Sequence, residues 1–155
     1  MRESARPALQ RLWNRDQPRV RRSFFRTVDV GYQDVKGYFY VLDRQKDVIV
    51  TGGENTYCGE VEAVIFNHPA VREVAVFGIP DPKWGEIVKA VVVLKPGKTL
   101  TEEELIAYCR RSLANFKVPR SIEFSETELP KSGSGKILKR LLRDAAWARQ
   151  ERAVA

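Results

Sequence analysis

The chain has few of the residues from which many enzyme sites are built. It contains two cysteines, Cys58 and Cys109, and one histidine, His68. The cysteines lie far apart without a CxxC spacing, which argues against a disulfide framework or a zinc site and favours a reducing compartment. A single histidine argues against His-based catalytic dyads and metal sites of several histidines. We therefore expect no metal ligands in this chain.

Long apolar runs are also missing. No stretch approaches the roughly 20 apolar residues of a membrane span, and the start of the chain lacks the apolar segment of a secretory signal. These absences favour a cytoplasmic protein without a transmembrane segment. The 155 residues, 43% of them apolar, suffice for one domain, or for one small domain plus a fragment of another.

Positive charge is concentrated at the N-terminus. Residues 1–26 hold eight arginines and two acidic residues, nearly the whole net charge of +7. We interpret residues 1–23 as a basic, poorly ordered arm. Binding of this arm to nucleic acid or anionic lipid stays open as an alternative. Nucleic acid is the less favoured partner, because the arm has no base-reading motif.

Periodicity changes along the chain. Residues 24–30 and 37–42 alternate in strand fashion around a polar turn and predict a hairpin. An α+β pattern follows, with strands at 48–51, 71–78, 87–94 and 121–124 and a helix at 60–67. A capping box from Thr101 to Glu104 opens a second helix that reaches about residue 114. A last helix carries the apolar stripe Ile137, Leu138, Leu141, Leu142 and Ala145.

Lys136 is the strongest candidate for a functional residue. It ends a loop with the sequence Pro130-Lys131-Ser132-Gly133-Ser134-Gly135, at the predicted start of the last helix. Glycines let a backbone approach an anionic ligand closely, and a helix start adds partial positive charge. A lysine there suits phosphate or carboxylate oxygens. The loop is not a Walker A motif, because Pro130 and Ile137 stand where that pattern needs glycine and Ser or Thr.

Six short sequence runs follow one another along the chain. They are residues 43–57 (DRQKDVIVTGGENTY), His68-Pro69-Ala70-Val71, Gly78-Ile79-Pro80-Asp81, Trp84-Gly85-Glu86, Phe116-Lys117-Val118-Pro119 and the Lys136 loop. Together they resemble the C-terminal domain of the adenylate-forming (AMP-binding) enzymes, which include acyl-CoA synthetases, firefly luciferase and the adenylation domains of peptide synthetases. The runs Gly52-Gly53-Glu54-Asn55 and Trp84-Gly85-Glu86 look most like those of medium- and long-chain fatty acyl-CoA ligases.

Patterns and resemblance together predict an α+β fold, a small mixed β-sheet with about three flanking helices. A β-hairpin precedes it. Residues 24–46 are expected to be the hairpin and hinge remnant of a large N-terminal domain. Residues 47–143 would form the C-terminal domain of an AMP-binding enzyme, and residues 144–155 a C-terminal tail.

The resemblance assigns nucleotide-binding roles. Enzymes of the family join a carboxylate to ATP, and coenzyme A then captures the acyl-adenylate. Lys136 matches the lysine that reaches the carboxylate and α-phosphate oxygens in the first step. Asp29 matches the aspartate that binds the ribose hydroxyls of ATP, and Arg44 an arginine that also contacts the nucleotide.

Three further positions match the conformational change between the two steps. Lys46 matches the hinge residue about which the small domain turns. Gly52 and Gly53 match the loop that faces the pantetheine tunnel after rotation, where the absent side chains leave room for the thiol arm.

Structural alternatives stand beside these roles. Lys136 could be an ordinary exposed lysine at a helix start, and Asp29 a turn or strand-edge residue. Arg44 and Lys46 could be linker charges. For Trp84 we favour packing over substrate contact, and for the two cysteines inert thiols.

Two departures from the family pattern are important. Val28 stands where glycine usually precedes the ribose-binding aspartate, and valine resists the backbone freedom that glycine supplies. The phosphate loop, adenine pocket, acyl tunnel and magnesium-binding glutamate of the large domain have no counterpart in the sequence. We therefore expect ATP, AMP and coenzyme A to bind only with a complementary N-terminal domain. We expect Mg²⁺ not to be bound by this chain, and the chain alone to be inactive.

Three functions remain open. The chain is the C-terminal portion of an ATP-dependent fatty acid–CoA ligase, or a subunit that completes a separate N-terminal half in trans. The third possibility is a non-catalytic binding module that uses the basic arm. Apolar residues of the hairpin, such as Phe25, Tyr38 and Phe39, predict self-association if nothing covers them. The acyl substrate is not encoded in these residues.

Overall fold

The computed structural model describes Val20–Arg21, Phe24–Phe25 and residues 28–154. The chain divides into two units between Lys46 and Asp47. Strand β1 (Val20–Arg21) pairs antiparallel with strand β2 (Phe24–Phe25). The rest of the predicted basic arm lies outside the described residues, and so does the side chain of Phe25.

The predicted hairpin is confirmed. Strands β3 (Asp29–Gln33) and β4 (Phe39–Arg44) pair antiparallel. The Asp34 carboxylate closes the turn between them, because it accepts hydrogen bonds from the backbone amides of Lys36 at 2.9 Å and Tyr38 at 3.0 Å. An aspartate that bonds to backbone amides just ahead of it is a common turn former.

The first strand of the hairpin begins later than the sequence pattern predicted. Val28 has φ of +64°, a left-handed conformation that an extended strand cannot contain. Strand β3 therefore starts at Asp29 rather than continuing from residue 24. The Val28 carbonyl accepts the Gln45 amide at 2.9 Å and closes the open end of the hairpin.

The second unit is built on a five-stranded mixed sheet. Its strands are β5 (Val48–Thr51), β6 (Glu54–Tyr57), β7 (Val71–Asp81), β8 (Gly85–Leu94) and β9 (Ser121–Phe124). The order is β6-β5-β8-β7, and β9 runs parallel beside β8. Three helices accompany the sheet, so the predicted α+β class with a mixed sheet is confirmed.

Both faces of the sheet are buried. Along β7, Val74 and Val76 contribute to one apolar cluster, while Ala75 and Phe77 contribute to the other. Alternate side chains of a strand point to opposite faces, so a strand buried on both sides is apolar throughout. This explains the nearly continuous apolar run that predicted the strand.

Helices α1 (Cys58–Phe66) and α2 (Glu102–Cys109) supply the first cluster, and α3 (Lys139–Val154) the second. The predicted capping box of α2 is present, since the Thr101 hydroxyl accepts the Glu104 amide and Glu104 accepts the Thr101 amide. The helix ends at Cys109 rather than near residue 114, because the chain turns through residues 110–113.

The apolar stripe of the last helix differs from its prediction. Leu142 packs into the second cluster together with Ala146, and Ile137 packs there from the loop before the helix. Leu138 and Leu141 are 38% and 49% exposed. Helix α3 continues to Val154, so the boundary drawn at residue 143 falls inside it. Trp147 donates from Nε1 to the Gly78 carbonyl at 3.0 Å, which ties the extended helix to β7.

Candidate functional site

The Lys136 loop is a tight turn closed by its own backbone. Lys131 and Ile137 form an isolated antiparallel bridge. Within it, the Ser132 amide donates to the Lys136 carbonyl at 2.8 Å and the Gly135 amide to the Ser132 carbonyl at 2.9 Å. Gly135 has φ of +80°, which only glycine adopts without strain. The loop therefore has a defined shape that depends on its glycine.

Lys136 does not lie at a helix start, contrary to the sequence prediction. Helix α3 begins at Lys139, because the bridge holds residues 131–137 in an extended turn. The Lys136 amide also donates to Ser132 Oγ at 3.3 Å instead of standing free. The helix dipole acts only within the first turn, so the side chain of Lys136 rather than a helix terminus supplies the positive charge here.

Lys136 differs from the lysines on either side of it. Lys131 lies 2.7 Å from Glu73, and Lys139 lies 2.8 Å from Glu62. Lys136 is exposed, and no hydrogen bond or ion pair of its ammonium group is found within the described part of the chain. A side chain built at Gly135 would meet no atom within 4 Å. The loop thus presents one uncommitted cation beside open space.

Gly52 and Gly53 form the turn between β5 and β6. Their φ angles are +58° and +85°, as the central residues of a type I′ hairpin turn require. Gly52 also lies against Trp84: its amide donates to the Trp84 carbonyl at 2.9 Å, and a Cβ at Gly52 would lie 2.9 Å from Trp84 Cε3. Gly53 has nothing within 4 Å of the corresponding position, so it faces open space.

Trp84 packs against the glycine turn, and two cationic side chains lie over its ring. The Arg120 guanidinium carbon lies 4.7 Å from the ring centroid and Lys83 Nζ lies 5.1 Å from it. These distances allow cation–π attraction. Sequence reasoning missed Arg120, because it lies 36 positions from Trp84 and no local spacing connects the two.

The strand that leads into the glycine turn is held by a side chain. Val50 donates its amide to Glu86 Oε2 at 3.0 Å, whereas the ladder between β5 and β8 pairs only Thr51 with Gly85. Glu86 thus replaces a missing ladder bond. This contact explains the glutamate of the Trp-Gly-Glu run, for which the sequence alone gave no role.

Asp29 and Arg44 are brought together by the hairpin. They are opposite each other in the β3–β4 ladder, and Arg44 Nε lies 3.8 Å from Asp29 Oδ1. The two residues predicted to contact the nucleotide therefore share one end of the hairpin. Lys46 follows in a short 3-10 turn, Gln45–Asp47, where its side chain is exposed at the boundary between the units.

Within the second unit, the two predicted site elements lie at opposite edges of the sheet. The glycine turn joins β5 and β6 at one edge, whereas β7 forms the other. The Lys136 loop is anchored to β7, since the Leu129 amide and the Lys131 ammonium bond to Glu73. One binding site on one side of this unit would therefore not meet both elements at once.

Both cysteines of the described residues, Cys58 and Cys109, are buried. Burial raises the pKa of the Cys109 thiol to about 11, so that this thiol stays protonated at neutral pH. In the described ranges, no group of three or more His, Cys, Asp or Glu side chains could hold a metal. No helix there is long and apolar enough to cross a membrane.

The sequence matches known proteins over most of its length. A family model described as the AMP-binding enzyme C-terminal domain matches residues 60–136, which ends at the candidate lysine. A feruloyl-CoA synthase of Amycolatopsis is 50% identical over 120 residues, 77% of this chain and 24% of that protein. A long-chain fatty acid–CoA ligase of Mycobacterium tuberculosis is 45% identical over 140 residues, 88% of this chain and 27% of that protein.

A solved structure supports the same assignment. The o-succinylbenzoate–CoA synthetase of Bacillus subtilis, in complex with an acyl-adenylate intermediate, superposes with a TM-score of 0.75 at 41% identity. That superposition covers 81% of this chain and 25% of the other. The chain thus spans about a quarter of the length of the curated relatives it matches, 24% and 27% for the two named above.

Proposed function

This chain carries the C-terminal domain of the adenylate-forming acyl-CoA synthetases, and on that premise we propose that it is the C-terminal portion of an ATP-dependent fatty acid–CoA ligase. The domain supplies the lysine for adenylation and a glycine turn for the coenzyme A step. The observation that carries the proposal is the uncommitted ammonium of Lys136 on a glycine-shaped loop, between two lysines that are paired.

In the first step, the carboxylate of the acid attacks the α-phosphorus of ATP and pyrophosphate leaves. Negative charge grows on the α-phosphate oxygens as the new bond forms. An ammonium already placed beside them lowers the barrier without reorganisation. Lys136 fits this task because no carboxylate of the described residues competes for it, and because open space surrounds Gly135.

In the second step, the thiol of coenzyme A attacks the acyl carbon and AMP leaves. Gly53 has open space where a side chain would stand, which gives an extended thiol arm room to pass. Since the turn and the Lys136 loop lie at opposite edges of the sheet, the two steps require opposite edges of the domain to reach the reaction centre. We infer that the domain turns between the steps, with Lys46 as the hinge.

The hairpin contributes nucleotide contacts. Asp29 accepts hydrogen bonds from ribose hydroxyls, and Arg44, across the ladder from it, supplies positive charge near the phosphate side. Their mutual ion pair at 3.8 Å is long enough for a ribose to compete with it. We propose that Mg²⁺ is bound outside this chain and that the protein acts in the cytoplasm.

We propose that the chain needs a complementary ligase portion for activity. Tyr38 beside β4 is 66% exposed, and Phe39 and Val41, which alternate along β4, are 79% and 70% exposed. An apolar strand face of this kind is normally covered. The same face favours a second arrangement, in which the chain is a subunit that completes an N-terminal half in trans. Without a covering surface it would self-associate, so a sharply monodisperse monomer at high concentration would contradict this part of the proposal.

The experiment measures acyl-CoA formation over a panel of fatty acids. The chain is assayed alone and mixed with the N-terminal portion of a related ligase, as wild type, Lys136→Ala and Lys98→Ala. Lys98 is a matched control, since it is also an exposed lysine in a loop. We expect activity in the mixture only, lost in Lys136→Ala by about a hundredfold or more and kept in Lys98→Ala. Equal activity of the two variants would refute the role of Lys136.

A further inference from the structure

Glu73 on strand β7 holds the base of the Lys136 loop at two points. Its Oε2 accepts the Leu129 amide at 3.1 Å, and its Oε1 accepts Lys131 Nζ at 2.7 Å. The Glu73 side chain is only 13% exposed. A carboxylate that uses both oxygens at short distance, largely out of water, fixes its partners more firmly than an exposed ion pair does.

The constraint at Lys131 is passed on to Lys136 through the backbone. Lys131 faces Ile137 across the isolated bridge, and the next pair is joined by the bond from the Ser132 amide to the Lys136 carbonyl. Before the bridge, Leu129 is only 3% exposed and anchors the loop in the second apolar cluster. Holding Lys131 in place therefore holds the strand segment that carries Lys136.

The charges around Glu73 favour its ionised form. The hydrogen bond from Lys131 lowers the pKa of the Glu73 carboxyl, and the bond from the Leu129 amide acts in the same direction. Reciprocally, the bond to Glu73 raises the pKa of Lys131. Arg72 lies 3.8 Å from Glu73 and 3.4 Å from Glu128, and Glu128 lies 3.4 Å from Lys131. The pair thus stays charged across the neutral range.

We propose that Glu73 is a positioning residue for the adenylation reaction, which acts by clamping Lys131 and Leu129 so that Lys136 is presented in one place. The proposal rests on the proposed function of Lys136. The ammonium of Lys136 has no partner within the described residues, so the loop backbone sets the point from which its exposed side chain reaches a ligand. Small displacements of a reacting group are costly in rate, which makes the clamp matter for the chemical step more than for nucleotide affinity.

The first test needs the chain alone. Amide hydrogen exchange is compared between wild type, Glu73→Gln and Glu128→Gln. The last is a matched control, since Glu128 contacts the same lysine but is 65% exposed. The reporters are the Ser132 amide and the Leu138 amide, which donates to the Pro130 carbonyl at 2.7 Å. We expect their exchange to rise about tenfold in Glu73→Gln, with little change in the β7–β8 ladder or in Glu128→Gln. Unchanged exchange in the loop, or an equal rise throughout the domain, would overturn the clamp.

The second test measures the two half-reactions in the mixture with a complementary ligase portion. For Glu73→Gln we expect kcat of ATP–pyrophosphate exchange to fall about tenfold with an unchanged KM for ATP. Thioester formation from a preformed acyl-adenylate should be unchanged, and Lys131→Arg should keep most of the adenylation rate.

Two outcomes separate this proposal from the one on which it rests. Full adenylation activity in Glu73→Gln, or a matched loss in both half-reactions, would overturn the positioning role. An inactive wild-type mixture would instead overturn the proposed function, and with it the catalytic part of this inference. In that case the exchange experiment still decides whether Glu73 holds the loop.

Discussion

Replacing Gly52 by alanine tests how the glycine turn is packed. The new Cβ would lie 2.9 Å from Trp84 Cε3, whereas carbon atoms in contact are normally about 3.5–4.0 Å apart. Relief of such an overlap costs about 1–3 kcal/mol. Alanine at φ of +58° adds about 1 kcal/mol, the lower limit for a side chain in the left-handed region. We therefore expect a loss of about 3 kcal/mol in the free energy of unfolding.

Gly53→Ala is the matched control. It carries the conformational cost, because φ of Gly53 is +85°, but it has no atom within 4 Å of the new Cβ. Urea unfolding should show a loss of about 1 kcal/mol for Gly53→Ala. Trp84→Leu should restore part of the stability lost in Gly52→Ala, with a coupling of about 1 kcal/mol or more. Equal losses in the two alanine variants, or no coupling to Trp84, would show that the contact with Trp84 does not determine the stability of the glycine turn.

Three further predictions follow from single residues. Val28→Gly should remove left-handed strain of about 1–2 kcal/mol, which exceeds the entropic cost of ordering a glycine. The gain should appear as a few-fold slower exchange of the Gln45 amide, and faster exchange would contradict it. The pKa of Glu73 is lowered from 4.5, so its contribution to stability is complete above pH 4.5 and lost as pH falls through the folded-state pKa. Acid unfolding should therefore be less steep in Glu73→Gln than in wild type, and identical pH profiles would count against the ion pair. With a pKa of about 11, Cys109 should resist a thiol reagent at pH 8 until the protein unfolds, as peptide mass analysis would show.

Local signals in the sequence were enough to predict much of the fold. Thr101 and Glu104 form the expected capping box, because a cap depends only on residues three apart. The apolar run of β7 reflects burial on both faces of the sheet, which any strand in that position must satisfy. Gly52 and Gly53 have the positive φ angles that a two-residue hairpin turn needs.

Contacts between distant positions could not be predicted from the pattern. Glu73 and Lys131 are 58 residues apart, and nothing near either one marks the pair. The sequence predicts too early a start for α3, because Ile137 has the helical spacing of the stripe, whereas its bridge to Lys131 depends on tertiary structure. The sequence marks Val28 as a departure from the family pattern, but only the structure shows that it adopts a left-handed conformation.

We propose that Lys136 serves adenylation and that the opposite edge of the domain serves the coenzyme A step. The most direct measurement compares both half-reactions of Lys136→Ala in the mixture with a complementary ligase portion. We predict that ATP–pyrophosphate exchange falls by about a hundredfold or more, while thioester formation from a preformed acyl-adenylate stays at the wild-type rate. Undiminished pyrophosphate exchange, or an equal loss in both half-reactions, would show that Lys136 has no specific role in adenylation.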